Sequence, residues 1–160
     1  MWYWLTTEVT MFKHLLLPTD GSPLSDFAIQ KAIQFASSVG AKVTGVTVMP
    51  EYHMLSYAVE SLQDTRSQYE IDARRHADQY LSKVAEAATR ADVFCDTVAV
   101  TGDHPYAQII ATAEERHCDL IVMASHGRKG IQALLLGSET HKVLTHTKIP
   151  VLIFHPEQAR

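Results

Sequence analysis

Cysteine, glycine, proline and excess positive charge are all in short supply in this chain. Only Cys95 and Cys118 occur among 160 residues, which is no disulfide framework and no metal-ligand spacing, so the expected setting is reducing and cytoplasmic. Glycine and proline number 7 and 6, which excludes collagenous, linker-like and low-complexity chains. Fourteen Lys and Arg stand against eighteen Asp and Glu, a formal net charge of -4. No global positive field draws the protein onto nucleic acid or an anionic membrane, and neither partner is expected. No run of about 18 apolar residues exists to form a spanning helix. What is present is a chain 46% hydrophobic and 20% charged. That is the makeup of one globular domain, burying roughly 68–70% of its unfolded surface without staples.

The opening Met1-Trp2-Tyr3-Trp4-Leu5 is apolar but short, has no Lys or Arg ahead of it, and runs into Thr6-Thr7-Glu8, so it does not fit a signal peptide. Residues 1–10 are expected to be an extension, with Met11 an alternative start, and residues 11–156 the domain. Within it short apolar runs alternate with amphipathic stretches. Strands are expected at 12–17, 42–49, 93–100, 119–124 and 149–154, bounded by turn clusters such as Pro18-Thr19-Asp20-Gly21-Ser22. Helices are expected after the first strand (Ala28, Ile29, Ala32, Ile33, Phe35 and Ala36 inward, Gly40 as cap), at 64–90, 106–117 and 138–147. Strict β-α alternation implies a parallel sheet with helices on both faces, and such sheets bind ligands beyond the strands' carboxyl ends where strand order reverses.

The loops after the first and fourth strands therefore carry the candidate chemistry. Ala124-Ser125-His126-Gly127-Arg128-Lys129-Gly130 leads on to Gly137-Ser138 at a helix start, where glycines admit close backbone approach and free N–H groups favour an anion such as phosphate. An ordinary turn and N-cap explain the same residues. Neither G-x-x-x-x-G-K-[ST] nor G-x-G-x-x-G occurs. Asp20 suits ribose hydroxyls or a phosphate-associated cation, or else an Asx turn or N-cap. His126 sits in the same loop, near a ligand or bracing a turn. Arg128 and Lys129 either neutralise a terminal phosphate or are simply solvated. Tyr52, His53 and Tyr57 form a candidate lid.

Taken together, Pro18-Thr19-Asp20-Gly21-Ser22, the run Asp119 to Gly127, Gly137-Ser138 and Lys148-Ile149-Pro150-Val151-Leu152 resemble the universal stress protein (UspA-like) family over residues 11–155. Its nucleotide-binding members carry G-x-x-G, nine residues, then G-[ST]. This chain has Ala124-x-x-Gly127, nine residues, then Gly137-Ser138. The alanine is tolerable if its φ is negative. The resemblance implies an α/β, Rossmann-like, doubly wound five-stranded parallel sheet of order 3-2-1-4-5. It also implies an ATP or AMP ligand, with Mg2+ or Mn2+ as a possible companion, and a homodimer through the edge strand Ile149–Phe154. By position, Thr19 and Asp20, next to Pro18, would face ribose and adenine, Val48 the adenine edge, and Met123 the base. Gly127, Gly130, Gly137, Ser138, Glu139 and Thr140 would surround the phosphates. A carboxylate at 139 repels phosphate unless it points away or meets a cation. Valine at Gly137 is expected to block phosphate while sparing the fold. Three functions stay open: a regulatory nucleotide-binding protein of the stress response, a slow ATP-hydrolysing enzyme, and a dimeric interaction module without nucleotide.

Overall fold

The computed structural model describes residues 11–52, 62–126 and 136–155. Among these, strands and helices alternate as β1 (His14–Pro18), α1 (Pro23–Val39), β2 (Lys42–Met49), α2 (Leu62–Arg90), β3 (Cys95–Thr101), α3 (Pro105–Glu115), β4 (Leu120–Ala124), α4 (Ser138–His146) and β5 (Val151–Phe154). All strand pairs are parallel and the order is β3-β2-β1-β4-β5. The chain thus steps outward from β1 through β2 to β3, then returns to the other side of β1. The reversal falls between β1 and β4.

Side chains alternate across the pleat, and both faces are covered, which is why the strands read as unbroken apolar runs. Leu15, Leu17, Val43, Leu120 and Val122 meet α1 and α2 through Ile29, Ile33, Val84 and Ala88. Leu16, Val46, Ile121 and Met123 meet α3 and α4 through Ile109, Ala113 and Val143. The first helix runs as its apolar spacing predicts, with Ser22 as N-cap and Gly40 in the left-handed C-cap. No described helix is long and apolar enough to cross a membrane.

Element ends differ from expectation for local reasons. The β1 ladder starts at His14 because the carboxylate of Asp119 takes the N–H groups of Lys13 (2.8 Å) and His14 (3.0 Å). Helix α3 stops at Glu115, and His117 turns left-handed at φ 53. Strand β5 starts at Val151, since Ile149 donates its N–H to Thr147 Oγ1 (3.0 Å) and Pro150 has none to give.

Candidate functional site

The carboxyl ends of β1 and β4 are neighbours, so the two loops singled out from the sequence leave the sheet side by side, where sheets of this topology form their crevice. On the β1 side Thr19 is 6% exposed and fully engaged. Its N–H donates to Val46 O (2.8 Å), its carbonyl accepts Thr47 Oγ1 (2.8 Å), and its Oγ1 accepts from Gly21 N (3.2 Å) and Ser25 Oγ (3.0 Å). Its hydroxyl therefore faces inward, shaping the loop. Asp20, half-buried, accepts the Ser22 N–H on Oδ1 at 3.0 Å, an Asx turn. Ser22, not Asp20, caps α1, its Oγ accepting the Ser25 N–H at 3.2 Å. Gly21 has φ 71, and a Cβ there would lie 2.2 Å from Cε1 of Tyr80, whose ring closes over the turn from α2. Pro18 is half-buried at the strand end.

On the β4 side the only non-glycine residues with positive φ among those described are Asp92 and His117. Ala124 is therefore unstrained where the signature has glycine. Its carbonyl accepts Thr140 Oγ1 at 3.0 Å, tying the start of α4 to the end of β4. Ser125 is fully buried; it donates its N–H to Phe154 O (2.9 Å) and accepts Gly137 N–H at 2.7 Å. Its Oγ lies 3.1 Å from His126 Nδ1. The absence of a side chain at 137 serves this contact: a Cβ would fall 2.9 Å from both Cα and Cβ of His126. The expectation that valine at Gly137 spares the fold is thereby corrected, because the first atom it adds meets the protein's own backbone.

Among the described residues no side chain caps helix α4, which begins with Gly137 as N-cap. The first-turn N–H groups of Ser138, Glu139 and Thr140 are those an α-helix leaves without an internal partner, at the positive end of its dipole. Ser138 is exposed beside them. Glu139 turns away: Oε2 accepts the Tyr106 N–H of α3 at 2.9 Å and Oε1 accepts Lys142 Nζ at 3.0 Å. Met123 is buried against α3 and α4, with Val48 packed on the same cluster. Gly127, Arg128 and Gly130 lie outside the described residues, as do His53 and Tyr57. Tyr52 pairs with Tyr69 of α2, ring centroids 5.4 Å apart. That pair lines a cavity of about 400 Å³ at the ends of β2 and β3, beside the crevice rather than in it. A larger open groove, about 740 Å³, runs along the outer face of α2 and borders neither loop. Among the described residues no three His, Cys, Asp or Glu side chains converge as metal ligands.

Residues whose part in the site sequence reasoning missed are Ser25, Thr47, Tyr80, Tyr106 and Lys142. Ser25 stands three after the Ser22 cap and Lys142 three after Glu139, spacings that were readable. The backbone donor of Tyr106 and the reach of Thr47 to the next loop leave no trace in local pattern.

The strand order and pairing define an open, doubly wound α/β protein whose strand order reverses between β1 and β4, the point at which such folds hold their ligands. A model of the universal stress protein family matches residues 11–155, and the chain belongs to that family. It is 29% identical over 143 residues to universal stress protein MJ0531 of Methanocaldococcus jannaschii, covering 89% of this chain and 82% of that one. The solved structure of MJ0577, from the same organism, superposes with a TM-score of 0.79 at 23% identity and covers 93% and 99% of the two chains. A universal stress protein solved in complex with cAMP superposes at 0.64 with 25% identity, covering 91% of this chain and 99% of that one.

Proposed function

We propose that this protein binds an adenine nucleotide, ATP or AMP, between the β1 and β4 loops, and acts as a regulatory protein of the stress response. The observation that supports this reading is the N-terminus of α4, which no described side chain caps, at the strand reversal across from the Asp20 loop. Phosphate oxygens complete the first-turn N–H groups, aided by the dipole, while the carboxylate of Asp20 accepts from ribose hydroxyls. Any Mg2+ or Mn2+ arrives with the phosphates. The cAMP held by a relative of similar fold supports the ligand class. Binding alone accounts for the arrangement, and no residue is assigned a catalytic role.

Strand β5 is an edge, with Val151 to Phe154 all half-buried in the single chain. Such an edge invites pairing, and the proposed assembly is a two-fold dimer through Ile149–Phe154. Light scattering checks it; a monomer at micromolar concentration refutes it.

Thermal melts with millimolar ATP, ADP and AMP test the binding. A ligand at a hundredfold excess over its Kd adds about 2.7 kcal/mol, hence a rise of roughly 5–11 °C for a domain of this size. No rise with any of the three refutes the reading.

A further inference from the structure

Glu139 occupies the second position of α4, in the turn whose N–H groups have no helical partner. An acidic side chain in a helix's first turn is drawn toward the unpaired N–H groups and positive dipole end of its own helix. Here it reaches sideways instead. Oε2 accepts the N–H of Tyr106, itself the second residue of α3, and Oε1 accepts Lys142 Nζ, at 2.9 and 3.0 Å. Lys142 Nζ lies 5.4 Å from the centroid of the Tyr106 ring, and the His146 ring packs 5.2 Å from the same ring. Helix α3 needs the carboxylate, because its N-cap His104 makes no cap bond. One acidic side chain thus serves the neighbouring helix and not its own helix start, which no other described side chain caps.

We infer that Glu139 is a positioning residue for the anion site: the Tyr106 amide of α3 and the Lys142 ammonium one turn further along α4 draw its carboxylate away from the first-turn amides, and this keeps the α4 N-terminus open to an anionic tail. The inference rests on the nucleotide reading above and adds which residues control it. Without Lys142 the carboxylate loses one of its two anchors and its charge is no longer neutralised. It then competes for the first-turn amides, and the penalty grows with the charge of the ligand.

Calorimetric titration of ATP and AMP into the full chain tests this with Lys142→Met, Glu139→Gln and the double variant. Lys142→Met weakens ATP by about two- to fivefold, AMP by less, and has no effect once Glu139→Gln is present. Equal losses in both backgrounds overturn the inference, because Lys142 then meets the ligand itself. A wild type that binds neither nucleotide overturns the nucleotide reading and the inference with it, whereas wild-type binding with equal losses sinks the inference alone. Hydrogen exchange gives a ligand-free check. The Tyr106 amide stays slow in Glu139→Gln, which keeps an acceptor, and speeds up in Glu139→Ala; unchanged protection in Glu139→Ala overturns the latch.

Discussion

Gly21→Ala separates two forces that act on the β1 loop. The residue sits at φ 71, and the added Cβ would lie 2.2, 2.4 and 2.7 Å from Cε1, Cδ1 and Cζ of Tyr80. The left-handed backbone costs a non-glycine residue about 1–2 kcal/mol. Displacing a packed ring adds roughly 1–3 kcal/mol. Their sum, about 2–5 kcal/mol, corresponds to a fall in Tm of roughly 4–20 °C for a domain of this size. Only the second contribution depends on Tyr80. In a Tyr80→Ala background Gly21→Ala should therefore cost about 1–2 kcal/mol, the backbone share alone. Urea melts of the four proteins, followed by far-UV circular dichroism, give the coupling directly. If Gly21→Ala costs the same with and without Tyr80, the ring does not close over the turn and the described loop is wrong.

The far end of the sheet supplies two further outcomes. Burial, reinforced by Lys42 and opposed by Asp119, holds His14 below its ordinary 6.5, with its Nε2 2.8 Å from Thr44 Oγ1. The unfolded chain then takes the proton more readily, so this contribution is intact above pH 6.5 and is lost as the pH falls toward the folded value. Urea midpoints should drop between about pH 7.5 and 5.5, and His14→Gln should flatten that slope; an unchanged slope refutes the assignment. Cys118 is buried, and burial followed by the Asp119 charge pushes its thiol up to about 11. Iodoacetamide near pH 8 should label it far more slowly in the folded protein than in urea, and equal rates would contradict its placement.

Much of the fold was legible because a parallel sheet covered on both faces leaves long apolar runs. Leu15 to Leu17 and Leu120 to Met123 are such runs, and β-α alternation carries the topology. The helix of residues 23–39 was equally plain, since Ala28, Ile29, Ala32 and Ile33 repeat at helical spacing. The site was legible as two loops and an order reversal. What escaped was the use of each side chain within them. Thr19 reads like a ligand contact, yet its hydroxyl is held by residues two and six positions on. Glu139 reads like a liability beside phosphate until the backbone of Tyr106, 33 residues away in sequence, is brought to it. Gly137 reads like space for a ligand, whereas the nearest atoms belong to His126. The Glu139 and Gly137 contacts join residues distant along the chain, and no local period encodes either.

Because Thr19 is fastened through its amide, carbonyl and hydroxyl to β2 and α1, the peptide from which Asp20 springs has almost no freedom of its own. Under the proposed nucleotide reading, a sugar arriving there would meet an arm already aimed, with little disorder left to be removed on encounter. Ser25 and Thr47, which face the interior and would touch no ligand, would then govern recognition from behind.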